Sequence, residues 1–276
     1  MKTGGIILVT ILGAVLIFGS LQFPPWGAPG SPASRHVSPY YIEKTIEETA
    51  VPNVVTAVLA DYRGYDTMFE TVVIFTAGIA AIILLRSFRG REPKARVYRH
   101  IPTGITLRIE GTGKYPDDST EFERIDLVWV PHDLIIKTCC RLIIPFIQLF
   151  ALYVIAHGHH SPGGGFQGGV ILSAATILYA IAYNLRSALR RMGERLLAIL
   201  CTIGIFIYAA TGALCVVLGR NYLDYSALAP LLGVDPVIAR SDGILIVEIG
   251  VGLAVMAVMV SLYYNLASAG RQDEGL

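Results

Sequence analysis

Six stretches of about twenty predominantly apolar residues limit most severely what this chain can fold into: residues 4–21, 67–85, 135–156, 168–185, 196–218 and 243–266. A helix rising 1.5 Å per residue needs about 20 residues to cross about 30 Å of hydrocarbon, so each stretch is long enough to span a bilayer. In lipid the backbone must satisfy its own hydrogen bonds, which leaves helices as the form these runs can take. Of 276 residues, 54% are hydrophobic and 16% charged, too apolar a balance for a soluble domain. The expected fold is an all-α integral membrane protein with six transmembrane helices and a short polar segment that can hold a β-hairpin.

Charge sets the orientation. With the N-terminus in the cytoplasm, the basic clusters at 86–137 and 186–195 lie inside with Lys2 and Arg271, and only Arg35, Lys44, Arg63, Arg220 and Arg240 lie outside. Six spans return the C-terminus to the cytoplasm. The first run follows Lys2, exceeds the length of a signal core and lacks a small-x-small site, which reads as a retained anchor over residues 1–21. The net charge of +1 gives no reason to expect a nucleic-acid partner.

The organisation expected is a two-span region over residues 1–90, a cytoplasmic linker over 91–132 and a four-span domain over 133–276. After the first span, Trp26, Tyr40 and Tyr41 suit the headgroup belt. Ile42, Ile46, Val54, Val58 and Leu59 recur at helical spacing along one face, interrupted at Pro52. In the linker, alternation from Ile105 to Glu110 followed by turn residues at 111–118 predicts one small hairpin.

Between the third and fourth spans runs His157, Gly158, His159, His160, Ser161, Pro162, Gly163, Gly164, Gly165, Phe166, Gln167, Gly168 and Gly169. Proline stops the preceding helix, and glycines without a Cβ let two helices approach closely. The three imidazoles have three readings open: structural or headgroup contacts, proton handling, and metal binding. No cysteine or acid near them completes a metal set, so none is expected. Cys139, Cys140, Cys201 and Cys215 show no Cys-x-x-Cys spacing and read as small buried residues. Nucleophile elbow, phosphate loop and dinucleotide fingerprint are missing from the sequence, which argues against catalysis by this chain alone and against a bound cofactor.

Charged groups at membrane depth are expensive, and each is a candidate for ion translocation. Asp66 and Glu70 are four residues apart on one helical face, close enough for mutual repulsion to raise one pKa; two acids favoured by a helix N-terminus is the plainer alternative. Glu248 lies six residues beyond Asp242 inside an apolar run. It must pair, carry a proton, or reach an interface. Arg141, Pro145 and Gln148 form a polar stripe on the third span.

The stretch from Gly158 to Gly169, preceded by Cys140-Arg141-Leu142-Ile143-Ile144-Pro145, resembles the first hairpin of the B subunit of Mrp-type multisubunit sodium/proton antiporters, and the likeness extends to about residue 266. The run from Asn53 to Glu70 is similar to the C-terminal part of the large A-type antiporter protein and to the E-type component of membrane-bound hydrogenases. Glu70 then matches the acid of that motif, whereas Glu248 stands where the B subunit usually carries an apolar residue. The resemblance implies a prokaryotic inner-membrane subunit that helps move sodium, or another monovalent cation, against protons. Its implied partners are A/D-type, C-, E-, F- and G-like membrane subunits, or hydrogenase-type redox subunits in a related respiratory complex.

Overall fold

The computed structural model describes residues 2–87, 96–109, 121–124, 134–268 and 270. Six helices in it have the length and composition of membrane spans, and their bounds fall within a few residues of the apolar runs at most ends. The chain forms two units, residues 1–46 and 47–276.

In the first unit, α1 (Lys2–Ser20) carries no acid at its start and no base at its end, and its apolar side chains are exposed on every side. Such a helix is stable only against lipid or another protein. A tight turn through Gly27 and a single wide turn at Ala33–Val37 lead into α2 (Ser38–Thr49), which carries the chain into the second unit.

Pro52 ends that helical path as expected. Asn53 restarts it, its side chain accepting from the Val55 amide at 3.1 Å as N-cap of α3 (Val54–Ala57), which runs on as a wide turn to Tyr62. The apolar face read from the sequence is turned outward. Ile42, Ile46 and Leu59 are exposed, while Thr45, Thr49, Ala57 and Ala60 are buried. Small and hydroxyl-bearing residues permit close packing, and Thr45 satisfies its own hydroxyl on the Tyr41 carbonyl.

α4 (Gly64–Ser87) follows directly. Beyond it, β1 (Arg96–His100) pairs antiparallel with β2 (Thr106–Ile109) on one edge and β3 (Phe122–Arg124) on the other. The predicted strand is present as β2, but its partner precedes it across a turn at 101–105. The turn expected at 111–118 lies outside the described residues.

The remaining helices are α5 (Leu134–Ala156), α6 (Gly165–Tyr183), α7 (Leu185–Arg191), α8 (Glu194–Val217), the short α9 (Ala229–Leu232) and α10 (Pro236–Ala267). α10 is the hub, packed against α8, α6 and α4 and buried over 72% of its most apolar window. Small residues allow this: a Cβ on Gly250 would lie 2.7 Å from the Gly204 carbonyl oxygen of α8, so the two backbones nearly touch. α10 also begins seven residues before its apolar run, because Pro236 suits a first helical turn; Arg240, Ser241 and Asp242 are therefore helical. At the far end Arg86 of α4 donates to Asn265 of α10 at 3.1 Å and pairs with Glu194 of α8. Of the cysteines, Cys201 and Cys215 are buried, but Cys139 is exposed and Cys140 half-buried, on the outer face of α5.

Candidate functional site

α5 stops at Ala156 and α6 starts at Gly165, and the intervening turn folds over one side chain of α10. Gly163 and Gly164 have φ of +149° and +129°, conformations that a side chain disfavours. A Cβ on Gly158 would lie 2.8 Å from Glu248 Oε2; one on Gly164 would strike Oε1, and one on Gly165 would land on the Glu248 carbonyl oxygen. Glu248 is only 8% exposed. The Gly165 amide is directed at its carboxylate, and Oε2 has no hydrogen-bond partner among the described residues.

The rest of the motif braces this turn. A Cβ on Gly168 would lie 3.0 Å from the Ala151 carbonyl oxygen of α5, and one on Gly169 2.6 Å from the Gly252 carbonyl oxygen of α10. Three backbones converge there. Pro162 lies in the bend ahead of α6, and Phe166 is 43% exposed on its first turn.

The three imidazoles diverge. His159 is half-buried, its Nδ1 3.4 Å from the Ser241 hydroxyl, and its Nε2 is buried without a partner among the described residues. Burial, then the nearby His160, holds its pKa below the ordinary value against the opposing pull of Asp242, so the ring is neutral at pH 7. His160 is exposed, with its ring centroid 6.5 Å away, and His157 stacks on Tyr153 at 4.1 Å. Among the described residues no group of three His, Cys, Asp or Glu is placed to hold a metal. Ser241 and Glu248, seven residues apart on α10, share the face toward this turn.

The other acids lie elsewhere. Asp66 pairs with Arg63, and Glu70 is exposed on α4 with no ion pair or hydrogen bond among the described residues. Arg141, Pro145 and Gln148 line a cleft between α5 and α6. Arg141 stands fifteen residues before the end of α5, about 22 Å from the glycine turn.

Three contributors escape a reading of local sequence. The Asn53 amide group donates to the Gly158 carbonyl at 2.8 Å and the Ser161 carbonyl at 2.9 Å, while its backbone N–H donates to the His159 carbonyl at 2.9 Å. Thr56 donates to the same Gly158 carbonyl at 2.8 Å. Arg240 grips Asp61 with two nitrogens, at 2.8 and 2.5 Å, and the Asp61 side chain is 7% exposed. The only local signal was Asn after Pro52, a capping position; nothing local pairs residue 53 with 158, or 61 with 240.

Comparison with known proteins gives a consistent picture. A family profile described as a domain related to the MnhB subunit of Na+/H+ antiporter matches residues 135–261, and another, describing the E subunit of MBH, matches residues 11–98. A Staphylococcus aureus (strain Newman) protein named as the antiporter component mnhB2 is 31% identical over 143 residues, 51% of this chain and 97% of that one. A Rhizobium meliloti (strain 1021) protein, named as the A/B component of a probable K(+)/H(+) antiporter, is 24% identical over 240 residues, 86% of this chain but 22% of that protein, so the chain spans about a fifth of its length. Two solved structures share the fold. A chain of the membrane-bound sulfane sulfur reductase, an archaeal respiratory membrane complex, aligns with TM-score 0.59 and 23% identity over 96% of this chain and 97% of its own. One of the Mrp complex from Dietzia sp. DQ12-45-1b aligns with TM-score 0.55 and 23% identity over 94% of this chain and 26% of its own.

Proposed function

The chain belongs to the family of domains related to the MnhB subunit of Na+/H+ antiporters, and on that premise we propose that it is a membrane subunit of a multisubunit antiporter exchanging a monovalent cation for protons. The observation that carries this reading is the Glu248 carboxylate, almost fully buried and without a basic partner among the described residues. A lone carboxylate at membrane depth persists by carrying either a proton or a cation. A group that exchanges one for the other performs the elementary step of antiport. Neutral His159 and Ser241, on the neighbouring turn and the same face of α10, supply further polar atoms along the way.

Glu70, exposed on α4, serves the same passage by facing an adjoining subunit. Asp66, Asp242 and the exposed His157 and His160 lie closer to water and suit entry or exit. The adjoining subunits are of the A/D, C, E, F and G kinds, and the complex sits in a prokaryotic inner membrane.

The test is sodium-driven proton movement in vesicles containing the whole complex. Glu248→Gln and Glu70→Gln each keep the shape and remove the titratable group; each is expected to abolish exchange while leaving the complex assembled. Full exchange in both variants would contradict the proposal.

A second reading, in which the same chain serves an ion-pumping respiratory oxidoreductase, is favoured by the match to the MBH profile and by the fold shared with the sulfane sulfur reductase chain. Nickel or iron copurifying in stoichiometric amounts would support it; a complex free of both would leave the plain antiporter.

A further inference from the structure

At the end of the α5–α6 hairpin away from the glycine turn lies a cleft of about 520 Å³, lined by Arg141, Gln148, Thr176, Tyr179, Tyr183 and Arg191 among others. Two arginines thus line one space. Neither has an ion pair with an acid among the described residues, which is unusual for arginines beside apolar helices.

One wall holds Arg191 in place. Arg191 lies over the Tyr179 ring, 4.4 Å from its centroid, and Tyr179 stacks on Tyr183 at 4.7 Å. Across the cleft Pro145 lies within α5 and has no N–H to donate to the Arg141 carbonyl four residues back. The lining therefore offers two cations, an amide and hydroxyls.

Depth and surroundings identify the occupant. The Tyr183 hydroxyl reaches the Lys137 carbonyl near the start of α5, so the cleft lies at the end of the spans, and its lining residues Ala188, Arg191 and Met192 belong to the basic run 186–195. Just past it, α5 exposes Leu142, Phe146 and Leu149, each more than 60%. A phosphate held by the arginines would thus continue into acyl chains lying along α5. We infer that this cleft is a binding site for the phosphodiester headgroup of an anionic phospholipid. Basic pockets at this level of a membrane attract such lipids, whereas a zwitterionic headgroup places its own cation against the arginines.

The test uses the full chain, stripped of lipid in neutral detergent and titrated with phosphatidylglycerol, phosphatidylcholine or inorganic phosphate, with retained lipid read by native mass spectrometry. One phosphatidylglycerol is expected to be retained in preference to phosphatidylcholine. Retention should weaken about 30-fold in Arg141→Gln/Arg191→Gln and about 5-fold in Arg141→Gln alone, with recovery in Arg141→Lys/Arg191→Lys. The single and the lysine variants keep the test readable should the double glutamine variant fail to fold. Equal retention of both lipids, unchanged retention in the glutamine variants, or displacement by millimolar phosphate would overturn the inference. So would a crosslink from Arg141 to an acidic residue of another subunit in the intact complex, which would make the cleft a protein interface.

Discussion

Gly165→Val is expected to yield no monodisperse, folded protein, and to prevent recovery of the complex. Even the first carbon added there would fall on the Glu248 carbonyl oxygen, with the Glu248 carbonyl carbon at 2.7 Å and Cα at 3.0 Å. These are backbone atoms in the middle of the hub helix, so the clash cannot be relieved by turning a side chain. α6 would have to move off α10, which would also part Gly169 from Gly252 and unseat Gly168 from α5. Overpacking costs about 1–3 kcal/mol where side chains can give; opening a backbone contact at a three-helix junction exceeds that. Gly164→Val should be nearly as severe, since it combines a φ of +129° with a Cβ on Glu248 Oε1. Gly13→Ala, where nothing lies within 4 Å, is the control and should behave as the parent. Size-exclusion profiles in detergent decide it; a monodisperse Gly165→Val protein that copurifies with its usual partners would refute the packing described.

The second large effect is expected at Arg240. Removing its guanidinium in Arg240→Ala leaves Asp61 a buried carboxylate with its partner gone, a change that costs about 3–5 kcal/mol. The double variant Asp61→Ala/Arg240→Ala should cost less than Arg240→Ala alone, because the stranded charge goes with its partner. The pH dependence follows from Asp61. Burial outweighs the lowering influence of Arg240 and leaves its carboxyl above its ordinary value, and loss of the arginine raises it further. A raised acid binds its proton more firmly folded than unfolded, so its destabilising charge grows as pH rises through the folded pKa. The melting temperature of Arg240→Ala should thus fall furthest below that of the parent at high pH and approach it as pH drops. A gap independent of pH, or one that widens on acidification, would show that the stranded carboxylate is not the cause.

Much of the architecture was legible because the bilayer imposes it. A run such as 196–218 has one way to cross hydrocarbon, and its helix, Glu194–Val217, begins and ends within two residues of the run. Local rules also fixed the break at Pro52, the end of α5 before Pro162 and the strand at Thr106–Ile109. What local rules missed is long-range. Asn53 meets Gly158 across 105 residues, and Asp61 meets Arg240 across 179, and no periodicity carries such a pairing. The side on which this segment packs was also not legible: Ile42, Ile46 and Leu59 recur on one face, but the buried positions are Thr45, Thr49, Ala57 and Ala60. In lipid an apolar face gains nothing by turning inward, and small residues decide which side packs. The same substitution of packing for hydrophobicity explains why the glycines read as a close approach but not as a cradle. Their spacing announced that something comes near, and only the fold shows that it is Glu248.

The most direct measurement reconstitutes the complex, purified through a tag on this chain, into proteoliposomes with a pH-sensitive dye inside. An outward sodium or potassium gradient should then acidify the lumen, and Glu248→Gln should lose that response with every companion subunit still present. Acidification of equal rate and extent in Glu248→Gln, or purification of this chain alone with no cation-coupled proton movement, would contradict it.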